Sequence, residues 1–558
     1  MVSTEKSASG RLSFLEGRLA FGLVAAVAIP AIVAFCWHSV VATLGDDSVS
    51  YITLARHFSP WRPDPLAAPW AAYFANFPPL FPLLLALTGG AHDLFVGHMV
   101  VAAGAVASLF LAHAYAREQG NEAGALAVTV LFLLLPGMWL ALAGILSESM
   151  FLALSLGALL YDARRVRPGS TARIHAILGL WMAAALLTRT AAIALVAAYL
   201  ARLALRAARD RQWPAARQWL PAVIPVATQV AWLLLRPAIA VSAYQEVLGE
   251  LAGAWLQQPV ATFAESCQFL WRGWIGVFAV ESGGARAALL AGVVALAGLA
   301  GAAQAALRDR LDGWYVLAGV ATVFLVRYNE DNSRRLLYPL LPLLLLHAVE
   351  AVRALAGRLP SRAGRWLPAA TFALAAAAVL PATAMIARKA LEREPYFPGL
   401  AYSPASMKGY YGFVDERFAR AYALRDASLL GGMSFLDQWT PPDSRVMWVR
   451  PEYVAVLGRR EGVALLLRWD RATLARQVQR TRTDFVVLSV NFKNDLAADS
   501  ANAYLWLARD LPDYLLALAM LPDPAQADFV LLQVDADRLQ RYIRQTEGNP
   551  PGPPGPSR

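Results

Sequence analysis

Long apolar runs alternate with short polar stretches along most of the first 390 residues. About eleven of these runs approach the ~20 residues that a helix needs to cross a bilayer. The first run is long enough to be a retained span rather than a cleaved signal peptide. The pattern therefore predicts about eleven membrane-spanning helices, near residues 19–42, 94–116, 122–142, 145–162, 174–188, 190–207, 218–236, 286–306, 312–327, 336–356 and 366–387.

Arginine is concentrated in alternate connections between these predicted spans, near 164–173, 202–218, 308–310 and 352–365. Cytoplasmic loops of membrane proteins collect Arg and Lys, so these connections are predicted to be cytoplasmic. The same orientation places the N-terminal residues 1–18 in the cytoplasm. An odd number of spans then places the chain after residue 388 in the periplasm or outside the cell. We expect a multi-pass protein of the inner (plasma) membrane.

Composition agrees with a chain that lies largely in lipid. Apolar residues make up 58% of the chain, charged residues 16%, and the mean hydropathy is +0.44. A net charge of +10 would raise nucleic acid as a partner for a soluble protein. The arginines of the predicted cytoplasmic loops explain the charge here, so no nucleic-acid partner is expected. Two cysteines, Cys36 and Cys267, are too few for a disulfide framework or a zinc cluster.

The predicted membrane domain, residues 19–388, carries two long outside loops at 43–93 and 237–286. The segment 389–545 follows as an outside linker and a small domain. Strand-like runs at 446–449, 485–488 and 529–532 alternate there with helical patterns near 471–479 and 497–510, which is typical of an α/β layer. Residues 546–558 are rich in Pro and Gly and are predicted to be disordered.

Two adjacent carboxylates, Asp46 and Asp47, directly follow the first predicted span. A carboxylate near the membrane surface loses hydration, which raises its proton affinity. It could then act as a general base, or the pair could bind a divalent cation. The alternative is that these residues cap the helix that follows, since Asp near a helix N-terminus is stabilising. The loop by itself does not distinguish the two interpretations.

A second feature of the first outside loop is the segment 76–87, NFPPLFPLLLAL, which is apolar but too short to span a bilayer. It is typical of a re-entrant or interfacial helix entered through prolines. Aromatic residues just before it, such as Trp70 and Phe77, are expected to mark the lipid–water boundary.

Together these motifs resemble the GT-C superfamily of membrane glycosyltransferases. The likeness is to bacterial relatives of protein O-mannosyltransferases and of the lipid A aminoarabinose transferase. It rests on an acidic D-(E/S)-x-x-Y signature, matched by residues 47–51, and on the P-P-L-F-P-L-L-L segment. Further matching stretches are 147–151 (SESMF), 187–190 (LTRT) and 334–342 (RRLLYPLLP). The resemblance covers about residues 19–390 and implies a GT-C-like membrane domain with a C-terminal domain outside.

The resemblance implies a polyprenyl-phosphate sugar as donor and an extracytoplasmic glycan, lipid or protein as acceptor. Membrane lipids are expected as further partners. Asp47 would be the catalytic base, and Asp46 would support it or join it around a cation. The sequence leaves the need for a metal open, and none of the seven histidines shows metal-ligand spacing. The aminoarabinose transferases have a second carboxylate shortly before the Pro segment, where this chain has Asn76. A mechanism with two carboxylates therefore does not transfer directly.

Basic residues outside the membrane run against the positive-inside preference, and Arg334 and Arg335 follow a predicted outside turn at 329–333. The resemblance implies that they bind the lipid phosphate, for which the planar guanidinium fork is suited. The alternative is an ion pair with an acidic residue of the same turn, Glu330 or Asp331. Arg189 is a further candidate for phosphate.

Three residues are predicted to contact substrate: Tyr51, Asn76 and Glu148. Glu148 could also orient Arg189. Two other functions remain open: a transporter or flippase of a lipid-linked saccharide, and a non-catalytic subunit of envelope assembly. Transport would predict charged residues or broken helices deep in the membrane.

Overall fold

The computed structural model describes residues 3–120, 122–236, 243–280, 285–327, 329–465, 470–490, 496 and 502–547. Parts of three predicted features lie outside the described residues. These are both ends of the second outside loop (237–242 and 281–284), the start of the predicted helix at 497–510, and most of the C-terminal tail.

Helices dominate the chain up to residue 390. They are α1 (Ser3–Phe35), α2 (Ser48–Phe58), α3 (Ala68–Phe74), α4 (Leu80–Thr88), α5 (Leu94–Gln119), α6 (Glu122–Leu134), α7 (Pro136–Leu142), α8 (Glu148–Arg165), α9 (Ala172–Thr188), α10 (Ile193–Asp210), α11 (Leu220–Leu235), α12 (Ala243–Gln257), α13 (Pro259–Phe278), α14 (Ala285–Leu307), α15 (Leu311–Val326), α16 (Glu330–Leu337), α17 (Leu341–Ala356) and α18 (Ser361–Ala390).

Each of the eleven predicted spans coincides with one or more of these helices, and the chain is a multi-pass membrane protein. Among the described residues, seven helical stretches are long and apolar enough to cross a bilayer: Gly17–Phe35, Leu94–Gln119, Thr190–Asp210, Ala216–Leu235, Ala285–Leu307, Glu330–Ala356 and Gly364–Ala390. An eighth is formed if the bent pair α6–α7 is one span, and α9 and α15 are shorter apolar helices. The number of crossings, eleven, therefore stays a prediction.

The bend of 61° between α6 and α7 has a local cause. Pro136 lacks an N–H donor and disfavours helical backbone at Leu135, which is extended. The indole N–H of Trp139 donates to the carbonyl oxygen of Leu133 at 2.9 Å, so the break leaves this carbonyl satisfied. The predicted span 122–142 is thus a broken helix.

Small residues and buried ion pairs join the membrane helices. A Cβ added at Gly298 or Gly301 of α14 would lie within 2.9 Å of a backbone oxygen of α17, so glycine permits the close approach of these helices. Arg202 of α10 and Asp162 of α8 form a two-pronged pair, with N–O distances of 2.6 and 2.7 Å. Both side chains are almost fully buried. Intramembrane charges are tolerated when paired in this way.

The C-terminal part of the chain forms a five-stranded mixed sheet with helices. Its helices are α19 (Lys408–Tyr411), α20 (Glu416–Trp439), α21 (Pro451–Val456), α22 (Arg471–Thr481), α23 (Ala503–Asp510) and α24 (Ala536–Glu547). Its strands are β1 (Arg445–Trp448), β2 (Glu461–Ala464), β3 (Phe485–Ser489), β4 (Leu515–Leu521) and β5 (Phe529–Val534). The order is β2-β1-β3-β5-β4, parallel through β3 and antiparallel at β5 and β4. The predicted small α/β domain is confirmed.

The chain divides into two compact units whose boundaries differ from those expected from the sequence. The membrane unit comprises Met1–Val40, Ala72–Glu392 and Tyr411–Val414, and the C-terminal unit comprises Val41–Ala71, Arg393–Tyr410 and Asp415–Arg558. Residues 43–93 were predicted to form one outside loop of the membrane domain. In the structure, the first half of that loop, including the acidic motif, packs with the C-terminal sheet and helices.

Candidate active site

Glu148, the first residue of α8, is the centre of a charged cluster in the membrane unit. Its side chain is completely buried. The Nε of Arg335 donates to its Oε1 at 2.6 Å, and Nη1 of Arg189 lies 3.0 Å from the same oxygen. The same nitrogen of Arg189 lies 3.4 Å from Oγ of Ser147. Three residues that the sequence analysis proposed separately therefore form one group, which we call the Glu148 cluster.

Local backbone structure places the two arginines. Arg189 lies at the break after α9, where its extended backbone (φ −154°, ψ 130°) ends the helix. Arg335 lies in the last turn of α16. Asn329 is the N-cap of that helix, and its side-chain oxygen accepts the N–H of Asn332 at 3.0 Å. Both arginines thus lie at helix ends, where a long side chain can reach the start of α8.

The Glu148 cluster places two guanidinium groups beside one carboxylate. The side chains of Arg189 and Arg335 are only 13% and 11% exposed. Charges in such surroundings are screened less than charges in bulk water. A guanidinium group presents its donors as a planar fork that matches a phosphate. The cluster is therefore chemically suited to bind an anion.

Arg334 belongs to a different pair, although it is adjacent to Arg335. Its Nη2 lies 2.8 Å from Oδ1 of Asp331, three residues earlier on α16, and Asp331 is 76% exposed. The two alternatives considered for these arginines thus separate: Arg334 forms the local ion pair, and Arg335 reaches Glu148. Both residues lie in α16. This helix begins at Glu330, within the segment 329–333 for which a turn was predicted.

Asn76 lies in the membrane unit, shortly before the prolines that lead into α4. Its side-chain oxygen accepts a hydrogen bond from Nη1 of Arg236, the residue that follows α11. Pro79 precedes the nine residues of α4, and Gly89 ends that helix with a positive φ of 90°. The short apolar segment is therefore a helix, as its pattern predicts. Within this unit, Asn76 contacts a guanidinium group outside the Glu148 cluster.

The acidic motif lies in the C-terminal unit. Gly45 has a φ of +77°, a conformation that favours glycine, and the turn there leads into α2. Asp46 is 8% exposed, and its Oδ1 accepts the N–H of Ser48 at 2.9 Å. Asp47 occupies the N-cap position, but its side chain makes no capping bond. The helix-cap interpretation therefore applies to Asp46. Tyr51, one turn into α2, is buried, and its N–H donates to the carbonyl oxygen of Asp47.

A backbone hydrogen bond before the motif and a side-chain hydrogen bond after it attach the motif to the rest of the C-terminal unit. The N–H of Lys408 donates to the carbonyl oxygen of Ala42 at 2.8 Å. Beyond the carboxylates, Nη2 of Arg56 donates to the carbonyl oxygen of Val456 at 3.0 Å, and Nη1 contacts Asp64 at 2.8 Å. Helix α2 is therefore fixed to α21.

Two further contacts lie beside the carboxylates. The N–H of Gly45 donates to Oη of Tyr453 at 3.0 Å, and Oγ1 of Thr43 donates to Oδ2 of Asp426 at 3.5 Å. Burial raises the pKa of Asp426 to about 6, and the negative charge of Asp46 contributes in the same direction. The first outside loop therefore has a third carboxyl group near its acidic motif, supplied by α20.

Asp46 and Asp47 are the two carboxylates of this motif that were predicted to bind a divalent cation if one is needed. Within the residues that the structure describes, no three His, Cys, Asp or Glu side chains are arranged to hold a metal ion. Mg²⁺ and Ca²⁺ take six or more oxygen ligands, whereas the motif itself offers the carboxylates of Asp46 and Asp47. The described residues by themselves do not form a complete cation site. The reaction proposed for this protein does not require a metal ion.

The predicted site residues thus fall into two groups. The membrane unit holds Glu148, Arg189, Arg334, Arg335 and Asn76; the C-terminal unit holds Asp46, Asp47 and Tyr51. Sequence reasoning missed Tyr453 and Asp426, which contact the motif from 408 and 383 residues away. Tyr453 lies in a short apolar stretch and Asp426 in a charged helix, so neither carries a local signal.

With this geometry, the membrane fold can be compared with known proteins. No family model matches the chain, and no curated protein matches its sequence. Solved structures do match, and they show that the chain has a GT-C-like fold, as the sequence resemblance implies.

The matching structures include ArnT from Cupriavidus metallidurans in two states. ArnT bound to undecaprenyl phosphate superposes with a TM-score of 0.52 and 15% identity, over 93% of this chain and 98% of ArnT. The apo state of ArnT gives 0.52 and 16%, over 96% and 99%. The oligosaccharyltransferase from Archaeoglobus fulgidus gives 0.49 and 12%, over 84% and 68%. At these identities the likeness to ArnT establishes the fold.

Proposed function

We propose that this protein is a membrane glycosyltransferase that transfers a sugar from a polyprenyl-phosphate donor to an acceptor outside the cytoplasm. The observation that carries the proposal is the Glu148 cluster, in which two largely buried guanidinium groups meet at one carboxylate in a membrane unit of the GT-C fold. A lipid-linked phosphate is the anion that such a site would meet inside a membrane. One structure of the same fold, that of ArnT, contains undecaprenyl phosphate.

In the proposed reaction, Arg335 and Arg189 bind the donor phosphate. Asp47 accepts the proton of an acceptor hydroxyl as its oxygen attacks the anomeric carbon. The bond between that carbon and the phosphate oxygen breaks, and its electron pair leaves with the polyprenyl phosphate. Negative charge grows on this leaving group, and the guanidinium groups stabilise it. A single displacement inverts the configuration of the anomeric carbon.

Glu148 has a positioning role in this proposal. One of its oxygens contacts both arginines, so a single carboxylate holds two like-charged guanidinium groups close together. Breaking a buried ion pair by removing one partner costs about 3–5 kcal/mol. The cluster would therefore stay assembled when no donor is bound, and the phosphate would find its ligands already oriented.

The test uses the full-length protein in detergent with three radiolabelled donors: undecaprenyl-phosphate mannose, glucose and aminoarabinose. Membranes from cells that lack the protein supply the acceptor. We expect transfer from one donor and a loss of ~10²–10⁴-fold in Asp47→Asn, as is typical when a general base is removed. Asp46→Asn should cost less, because Asn keeps the oxygen that accepts from Ser48.

Two results would contradict the proposal in different ways. An Asp47→Asn protein with normal turnover would remove Asp47 from the mechanism but leave the donor class standing. Absence of transfer from all three donors, with a protein that is folded and binds undecaprenyl phosphate, would contradict the glycosyltransferase itself.

The same phosphate chemistry would serve a transporter of a lipid-linked saccharide, and one observation favours that second candidate. Asp312 and His347 are fully buried between α15 and α17, with His347 Nε2 3.4 Å from Asp312 Oδ2. Arg310 pairs with Asp312 at 2.7 Å. Buried ionisable groups of this kind occur along ion and substrate pathways. Movement of labelled undecaprenyl-phosphate sugar across proteoliposomes, without chemical transfer, would support transport.

A further inference from the structure

Tyr453 is held rigidly within the C-terminal unit. Its side chain is completely buried, and its ring meets that of Trp448 edge to face at 5.8 Å. The guanidinium of Arg450 lies 5.1 Å from the ring centroid and is itself paired with Glu452. Such contacts fix the ring on more than one side. Burial also raises the pKa of Tyr453, so its hydroxyl is protonated at neutral pH.

This fixed hydroxyl contacts the chain immediately before the acidic motif. Its oxygen accepts the N–H of Gly45 at 3.0 Å. Asp47 lies two residues after this contact, so fixing the Gly45 N–H restricts the backbone that leads to its carboxylate. Gly45 also adopts a left-handed backbone, at φ +77°. A glycine turn has many conformations available to it, and an anchor selects one of them.

The second anchor beside the motif carries a cost in stability. Asp426 is 5% exposed and contacts Thr43 two residues before Gly45. Burying an ionised carboxylate is unfavourable, as the raised pKa of Asp426 indicates. Carboxyl groups with a perturbed pKa and a specific charged neighbour are typical of functional sites.

We propose that Tyr453 is a positioning residue of the active site, whose hydroxyl holds Gly45 so that Asp47 is presented to the acceptor in one orientation. The inference rests on the proposed function, since it assigns the role of base to Asp47. It makes the C-terminal unit part of the catalytic machinery through α21. Tyr453 itself contacts neither substrate nor reacting atoms in this scheme.

The test compares Tyr453→Phe with a matched control, Tyr514→Phe. Tyr514 is another fully buried tyrosine of the C-terminal unit, and among the described residues its hydroxyl has no hydrogen-bond partner. Hydrogen exchange of the full-length protein in detergent is measured first. In Tyr453→Phe the peptide around Gly45 should exchange roughly five- to tenfold faster, the effect of one lost hydrogen bond. The control should leave that peptide unchanged.

Turnover is measured next, with the labelled undecaprenyl-phosphate sugar that the wild-type protein uses. Tyr453→Phe should lower kcat about tenfold or more at unchanged KM for the donor, since small displacements of a reacting group cost up to ~10²-fold. The double variant with Asp47→Asn should be no slower than Asp47→Asn alone. Effects of residues that act through one another are not additive, whereas a general loss of structure would slow the double variant further.

The outcomes separate the inference from the proposed function. If Asp47→Asn is inactive while Tyr453→Phe shows normal kcat or normal exchange at Gly45, the positioning role is wrong and the glycosyltransferase stands. Multiplicative losses in the double variant would likewise overturn it. If Asp47→Asn keeps normal turnover, the base assignment fails first, and the positioning role fails with it.

Discussion

Replacing Arg335 with alanine should weaken the binding of undecaprenyl phosphate, whereas replacing its neighbour Arg334 should not. Arg335 belongs to the Glu148 cluster, where it is 11% exposed, and Arg334 pairs with the exposed Asp331. Loss of Arg335 leaves the cluster with one guanidinium group instead of two, so a phosphate loses one of its two forks of donors. The two variants remove the same side chain from consecutive positions of one helix, and each is the control for the other.

The size of the effect follows from the contacts. A hydrogen bond to a charged group contributes about 1.5–3 kcal/mol. At about 1.4 kcal/mol per factor of ten, Arg335→Ala should raise the Kd for undecaprenyl phosphate roughly 10- to 150-fold. Arg335→Lys should retain part of the affinity, because the charge remains and the planar fork is lost. Arg334→Ala removes a partly exposed pair within one helix, which is worth only ~0.2–0.5 kcal/mol.

Binding is measured on the full-length variants in detergent by titration with undecaprenyl phosphate, and thermal unfolding is measured in parallel. Arg335→Ala should also lower stability, because the fully buried Glu148 keeps Arg189 as its cluster partner but loses Arg335. Equal losses of affinity in Arg334→Ala and Arg335→Ala would refute the reasoning. Normal affinity in a folded Arg335→Ala protein would refute it as well.

Three further predictions follow from single residues. Glu148→Gln should destabilise the membrane unit without weakening undecaprenyl phosphate binding, because the amide keeps an oxygen that can accept from Arg335 and Arg189 while the negative charge of the carboxylate is lost; a titration like that for Arg335 checks this. Asp426→Asn should raise the unfolding temperature at pH 8 but not at pH 4. The pKa of Asp426 in the folded protein, about 6, lies above its usual value near 4, so wild-type stability falls as the pH rises between them. Cys267 is exposed and Cys36 buried, so an impermeant maleimide should label Cys267 in spheroplasts but not a cysteine placed at Arg209 in a Cys267→Ala background. Labelling of the cysteine at position 209 and protection of Cys267 would show that the predicted orientation is wrong.

The membrane helices could be predicted because apolar length is a strong signal, and every predicted span contains a helix. The bounds were less accurate, since the first span was predicted to reach residue 42 and its helix ends at Phe35. The C-terminal sheet was only partly predicted. β1, β3 and β5 are short runs of β-branched and aromatic residues, which favour strands. β4 reads Leu-Leu-Ala-Leu-Ala-Met-Leu, a composition that favours helix, and it is a strand because it pairs with β5. β2 has four residues and takes its structure from pairing with β1.

The candidate site divides in the same manner. Glu148, Arg189 and Arg335 could be named from loop position and family resemblance, but their meeting at one oxygen joins residues up to 187 positions apart. No periodicity encodes such a contact. The sequence also does not show which of the two adjacent aspartates caps α2. The two differ only in which side chain reaches the N-terminus of that helix. Tyr453 and Asp426 could not be predicted from the sequence, because only the packing of the first loop on α20 and α21 brings them to the acidic motif.

That packing has a consequence for how the chain is made. Gly45 leaves the ribosome 408 residues before the tyrosine that holds it. At ~5–20 residues per second, the interval is roughly 20 to 80 s. During this time the membrane helices are synthesised and inserted while the acidic motif still lacks its final support. A nascent chain that stops before residue 453 carries both aspartates but not the hydroxyl that fixes Gly45, so a part of the protein that is made much later completes a structure that begins in the first loop.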